Sequence, residues 1–92
     1  TYPIMGVSLD TRFSGGGAKV STEPGAVTAG GPSDKAGIKP GDIILEIDGK
    51  AVGSADEAIV AVRSHNVGEE IKVKYKRDGK ISEVSLILIA AK

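Results

Sequence analysis

The stretch from Ile71 to Gly79 leaves this chain little choice of architecture. Ile71, Val73 and Tyr75 alternate strictly with Lys72, Lys74 and Lys76, a period that an extended strand turns into one apolar face and one charged face. Asp78-Gly79 follows, two residues that tolerate the left-handed backbone of a tight reversal, and an apolar-rich run from Ile81 to Ile89 comes next. A long antiparallel hairpin is predicted. Its apolar face needs a cover, and the rest of the chain must supply it.

Ninety-two residues are room for one domain, so residues 1–92 are read as a single unit. The cover is visible at Ser54-Ala55-Asp56-Glu57, a capping box with serine and glutamate three apart. Behind it Ala55, Ala58, Ile59 and Val62 fall at the i, i+3, i+4, i+7 spacing of an apolar helical stripe running to about Ser64. Pro32 and Gly37 bracket a single helical turn over Ser33 to Ala36. Pro40-Gly41 turns into a strand from Asp42 to Ile47, and Asp48-Gly49 returns it through Ala51 and Val52. Met5 to Leu9 alternates as a half-buried strand should. Ala18 to Thr22 and Ala26 to Ala29 are short β runs broken at Pro24-Gly25, and Asp10 to Gly17 is a glycine-rich loop. The sum is an α+β fold: a small antiparallel, partly open β-barrel of five to six strands, closed by one long and one short helix.

Composition narrows the chemistry. Twelve basic and twelve acidic residues cancel, which argues against nucleic acid or an anionic membrane as partner. The lysine face of the hairpin reads as a solvated surface that discourages edge-to-edge aggregation. The longest apolar run, Leu86 to Ala91, is six residues, too short to span a membrane. The N-terminus lacks the basic and apolar stretches of a signal peptide, and the abrupt start at Thr1 reads as a domain cut from a longer protein. With no cysteine and a single histidine, thiolate sites, cysteine nucleophiles and paired-imidazole metal sites are not expected. His65 follows the helical stripe, where a cation suits a helix C-terminus. No serine stands in a G-x-S-x-G elbow, and Gly25 to Gly30 is followed by Gly31-Pro32 rather than the Lys-Ser/Thr of a phosphate loop. Neither a catalytic residue nor a metal or cofactor is expected, and this segment alone is not read as an enzyme.

Gly31-Pro32-Ser33-Asp34-Lys35-Ala36-Gly37-Ile38-Lys39-Pro40-Gly41-Asp42-Ile43-Ile44-Leu45-Glu46-Ile47-Asp48-Gly49 resembles the central motif of PDZ domains, with its small-residue turn, Ala-Gly, Gly-Asp, Ile-hydrophobic pair and Asp-Gly. The order of elements looks like the bacterial, permuted variant, which begins at the carboxylate-binding strand and ends on a long hairpin. Tyr2-Pro3-Ile4-Met5-Gly6-Val7 is similar to the opening motif of the PDZ domain that follows the protease domain in HtrA/DegP-type serine proteases. The resemblance covers essentially the whole chain and departs in the Asp10–Gly17 loop and the Ser21–Thr28 region.

The residues carry a physical reading beside that resemblance. An apolar segment meeting a glycine and then an alternating strand can aim several backbone N–H groups into one concavity that suits a carboxylate. Gly6 would let a ligand approach the backbone closely, and Val7 to Leu9 would offer a strand edge to an extended peptide. The resemblance implies a peptide-binding groove: Ile4, Met5 and Gly6 as the carboxylate loop, Val7, Ser8 and Leu9 as the pairing strand, and Ala55, Ala58, Ile59 and Val62 on the helix, shared between core and groove. Small Ala55 and Ala58 would leave room for a bulky aliphatic or aromatic terminal residue.

By resemblance the partners are protein C-termini or unfolded segments, captured for or regulating an HtrA-like serine protease domain of the same chain. The resemblance also implies an extracytoplasmic place, in the bacterial periplasm or cell envelope, with a parent either free or membrane-anchored. Two alternatives stand: the PDZ domain of another membrane-associated protease (an intramembrane metalloprotease or a C-terminal processing protease), or a structural assembly domain docking through its edge strand.

Overall fold

The structure is a computed structural model that describes residues 3–10 and 15–90. Tyr2 of the opening motif and residues 11–14 of the glycine-rich loop lie outside the described residues. In chain order the elements are β1 (Pro3–Ile4), β2 (Ala18–Lys19), α1 (Pro32–Ala36), β3 (Ile43–Ile47), β4 (Lys50–Ala51), α2 (Ala55–Arg63), β5 (Glu70–Arg77), β6 (Lys80–Ile87) and β7 (Ile89–Ala90).

The hairpin is the backbone of the fold. β5 and β6 pair antiparallel along their whole length, from Glu70 opposite Ile87 to Arg77 opposite Lys80. Asp78 and Gly79 both take positive φ, 50° and 81°, as a two-residue reversal requires. Ile71, Val73 and Tyr75 are buried and Lys72 and Lys76 exposed, while Lys74 reaches Glu46 at 3.5 Å. β3 adds to the other side of β5, and β2 and β4 pair with β3, giving a five-stranded sheet with a bulge between Ile44 and Glu46. Ile38, Ile44, Ile47, Ile71, Val73 and Leu88 fill the centre, with Ala58 and Val62 of α2 packed into the same core.

Three expectations change in detail. The predicted run from Ile81 to Ile89 is not one strand. It breaks at buried Leu88, which bonds through its backbone to Gly68 and Glu69, and then leaves the main sheet so that β7 pairs with β1. The five to six predicted strands become seven among the described residues, four of them two residues long. The fold is still α+β with a partly open antiparallel sheet and two helices. The capping box forms on Ser54 and Glu57 as predicted, with Ser54 Oγ accepting from Glu57 N–H at 3.3 Å, while the Glu57 carboxylate returns to Gly53 N–H at 2.8 Å rather than to Ser54.

Two polar clusters tie the elements together. Asp42, 2% exposed, accepts from Arg77 Nε at 2.7 Å and Arg77 Nη2 at 2.6 Å, and from Lys39 N–H at 2.9 Å. A second bond from Arg77 Nη2 to the Gly37 carbonyl (2.8 Å) fastens the end of α1 to the hairpin. His65 lies just past α2 between two carboxylates, with Nδ1 on Glu69 and Nε2 3.7 Å from Asp48. It therefore links the end of α2 to the β3–β4 turn and the start of β5, which is more than a cation at a helix end.

Candidate functional site

The region from Pro3 to Leu9 is shaped by where its carbonyls go. Met5 C=O accepts from the backbone N–H of Ser33 at 3.0 Å and from Ser33 Oγ at 2.8 Å, both in the buried first turn of α1. Gly6 C=O accepts from Thr28 N–H at 2.8 Å. In a trans peptide unit the C=O and the following N–H point in opposite directions, and no described peptide is cis. With both carbonyls tied inward, the Gly6 and Val7 N–H groups are aimed outward, side by side. Neither makes a hydrogen bond among the described residues.

The same rule orders the next residues. Ser8 N–H donates to Ala26 C=O (2.7 Å), Ser8 C=O accepts from Ser21 N–H (2.9 Å) and Asp10 N–H donates to Lys19 C=O (2.8 Å). Ser8 thus uses both of its backbone groups against the fold. The N–H and C=O of Leu9 and the C=O of Val7 point the other way, onto the open edge. The predicted Met5–Leu9 strand is not continuous: its pairing is reduced to two single bridges, Val7 with Val27 and Leu9 with Val20. One side of this short edge is sealed and the other is not.

Helix α2 forms the opposite wall. Gly53 C=O, just before the helix, accepts from Gly17 N–H at 3.3 Å, and the neighbouring Lys19–Val20 segment pairs at Leu9. The start of α2 is therefore anchored by the Leu9 end of the edge, and its last turn runs toward Pro3 and Met5. Between edge and helix lies a cavity of about 110 Å³, lined by Pro3, Ile4, Met5, Val7, Leu9, Ala58, Ile59, Val62 and Arg63.

Each expected site residue has a definite place. Ile4, Val7 and Leu9 are half-buried on the cavity wall, and Met5 is buried behind it. Ser8 is exposed and turned off the cavity. Ala58 and Val62 are core residues whose surfaces also form the floor, whereas Ile59 is 38% exposed and stands as the wall. Ala55 is buried and does not line the cavity, so it leaves no room there for a ligand. Gly6 is a glycine for a different reason than ligand approach. Its φ is +80°, and an added Cβ would meet Pro32 Cδ at 3.2 Å, inside the fold and away from the groove.

Pro3, Ser33 and Arg63 belong to this region and were not singled out by the sequence. Arg63 follows Ile59 by four residues and so continues the helical stripe, a signal that was available. Ser33 offers no local signal, because its partner Met5 is 28 residues away.

Comparison with known proteins follows the same lines. The family model described as "PDZ domain" matches residues 3–88. The chain is 40% identical over 63 residues to the "Serine protease Do-like HtrA" of Lactococcus lactis subsp. cremoris (strain MG1363), a match covering 68% of this chain and 16% of that protein. It is 33% identical over 85 residues to the carboxy-terminal processing protease CtpB of Bacillus subtilis (strain 168), covering 85% of this chain and 18% of the relative. The chain thus spans less than a fifth of either curated relative. Among solved structures, the HtrA3 PDZ domain bound to a phage-derived ligand (FGRWV) superposes with a TM-score of 0.76 at 21% identity, over 94% of this chain and 84% of that one.

Proposed function

The chain belongs to the PDZ domain family, and from that premise we propose that it binds the C-terminus or an extended segment of another polypeptide in the groove between Met5–Leu9 and α2. The observation that carries this reading is the inward anchoring of two consecutive carbonyls, on Ser33 and Thr28, which turns the Gly6 and Val7 N–H groups outward together. Two fixed donors at the end of an apolar trench suit a carboxylate. Past them, Val7 and Leu9 supply alternating acceptors and donors for a ligand backbone laid antiparallel or parallel to the edge. The terminal side chain enters the cavity against Met5, Val7 and Ile59. At about 110 Å³ the cavity is smaller than the ~150 Å³ apolar void that accommodates a benzene ring, so an aliphatic terminal residue fits better than an aromatic one.

Three ladder bonds at about 1 kcal/mol each, a carboxylate bond of about 2 and a buried side chain of about 2 give roughly 7 kcal/mol before association costs. Low micromolar affinity or weaker follows. In the longer protein this module would present substrate to, or regulate, a serine protease domain of HtrA type, outside the cytoplasm. The similarity to the Lactococcus protease supports that parent. A C-terminal processing protease is the second reading, favoured by the longer match to the Bacillus protein.

The test is amide chemical-shift mapping with an acetylated pentapeptide ending in valine. Gly6, Val7 and Leu9 amides should move together with Ile59, and the C-terminal amide of the same peptide should bind more weakly. Equal binding of acid and amide, or shifts confined to another surface, overturns the reading.

A further inference from the structure

We propose that β6 carries a second interaction surface, on which two copies of this chain join edge to edge through antiparallel β6 strands, with a two-fold axis at Val84. The sheet order leaves β6 outermost, with β5 as its one strand partner among the described residues. The lysines expected to guard the hairpin against such pairing sit on β5, which β3 and β6 already flank. The outermost strand carries Lys80 and Glu83 as its only charges, and its Ile81 and Ile87 are 60% and 56% exposed. A bare edge of this length with exposed isoleucines invites another strand.

The turn decides which backbone groups are free. A two-residue reversal at Asp78-Gly79 makes Arg77 and Lys80 a hydrogen-bonded pair, and bonded and non-bonded pairs then alternate along the hairpin. Ser82, Val84 and Leu86 therefore turn their N–H and C=O groups to β5. Ile81, Glu83, Ser85 and Ile87 turn theirs to the open edge, and none of the four makes a further backbone hydrogen bond among the described residues.

The pattern of that edge selects its occupant. Facing residues on a shared antiparallel edge must both turn toward it or both turn away, so a two-fold axis passes through a residue and never between two. With the axis at Val84, Ile81 of each copy faces Ile87 of the other, and Glu83 faces Ser85. One residue toward the turn, Glu83 would oppose Glu83, a like-charge pair. One residue the other way, Glu83 would oppose Ile87, and Ile81 would lie past the end of the facing β6. Only the Val84 register matches the strand to itself. It also brings Ile81 of the second copy to a groove of about 420 Å³, between Pro32, Lys35 and Ala36 on one side and Ser85, Ile87 and Ile89 on the other. The two-fold axis makes the same contact twice, and zero net charge leaves no long-range repulsion against it. No residue of β6 lines the peptide groove, so the two surfaces are independent.

Sedimentation of the 92-residue chain should show a reversible dimer with a Kd near about 0.1 mM, because one strand edge buries less than the ~1,200 Å² of a standard interface. Dilution should move the amide signals of Ile81, Glu83, Ser85 and Ile87 together. Ile81→Glu and Ile87→Lys should each weaken the dimer about tenfold and keep the fold, since the new charges lie opposite Lys76 and Glu70 on β5. An equimolar mixture of these two variants should recover to within about threefold of wild type, because only the mixed dimer sets the new glutamate against the new lysine. Ser85→Pro removes an outward N–H that the fold does not use, and should abolish the dimer while peptide affinity stays unchanged.

A chain that stays monomeric up to about 1 mM overturns the proposal. So does a dimer that Ile81→Glu and Ser85→Pro leave untouched, which would put self-association on another surface. A mixture of the charge variants that associates no more tightly than either alone overturns the Val84 register.

Discussion

The β5–β6 hairpin and the Pro3–Leu9 edge are both extended backbone, yet they are held in opposite ways. The hairpin pairs eight residues with eight, its register unbroken, and buries Ile71, Val73 and Tyr75 of β5 with Leu86 of β6 on one face. The edge has only a two-residue strand and two isolated bridges, and half of its backbone groups face outward. β5, paired with β3 on one side and β6 on the other, has no backbone groups left for a partner. The binding edge must stay incomplete, and it is held in shape from behind, by Ser33, Thr28, Ala26 and Ser21, rather than by its own ladder.

The largest effect that sharpens this contrast comes from shortening one isoleucine on each side. Ile71→Ala in β5 removes a fully buried side chain and should cost about 3–4 kcal/mol. Ile59→Ala on the groove wall, already 38% exposed, should cost less than about 1 kcal/mol in stability yet weaken free-acid peptide about fivefold or more. Urea melts and peptide titrations on the two variants check this. Ile71→Ala, measured under conditions where it stays folded, should keep wild-type affinity. A stability cost as large at Ile59 as at Ile71 would mean that the groove wall is core.

Next in size is Gly6→Ala. A residue with a side chain at φ +80° meets a conformational cost of roughly 1–2 kcal/mol, and its Cβ would press on Pro32 at 3.2 Å. The cheapest relief rotates the peptide units on either side, which tilts the two outward N–H groups. Free-acid affinity should fall about tenfold, the worth of one charge-assisted bond, and the amide should lose less. A variant that is destabilised but retains full acid-to-amide discrimination would uncouple the donor pair from the glycine.

The same contrast explains what could be read in advance. The hairpin, its turn and the stripe of α2 are encoded locally: alternation, an Asp-Gly pair and i, i+3, i+4 spacing each act within a few residues. The central stretch from Gly31 to Gly49 was legible for the same reason, because its devices are turn residues at fixed offsets. The edge was legible only in part: the alternation of Met5–Leu9 marks it as extended, but its reduction to single bridges, Val7 with Val27 and Leu9 with Val20, is set by distant residues. Loop residues in between carry no period that announces such a meeting. The break at Leu88 was hidden likewise, because β7 leaves the sheet only when Pro3–Ile4 is there to receive it. Ala55 was placed on the helical stripe correctly, but a stripe cannot say which of its residues face the core and which the trench. Asp42 read as the start of a strand, and its bond to Arg77 spans 35 residues.

The smallest predicted effect concerns the junction where α2 hands over to the hairpin. The hydrogen bond from the His65 ring holds the Glu69 carboxyl below its ordinary value of 4.5, aided by the Asn66 N–H and opposed by partial desolvation. A carboxyl whose folded-state pKa is depressed contributes stability above the unfolded-state value, and that contribution is lost as pH falls through the folded-state pKa. The chain should therefore lose stability on acidification below about 4.5. Glu69→Gln should show a shallower acid branch, with the difference from wild type vanishing once Glu69 is protonated in both the folded and the unfolded wild-type chain. Glu69 is 40% exposed, so high salt should shrink the effect. Urea melts from neutral pH down to about pH 3 at two salt concentrations measure it. Affinity for the free-acid peptide at neutral pH should be unchanged in Glu69→Gln, because neither residue of the pair lines the cavity. If the acid branch of the variant overlays that of wild type, the His65–Glu69 contact adds nothing to stability.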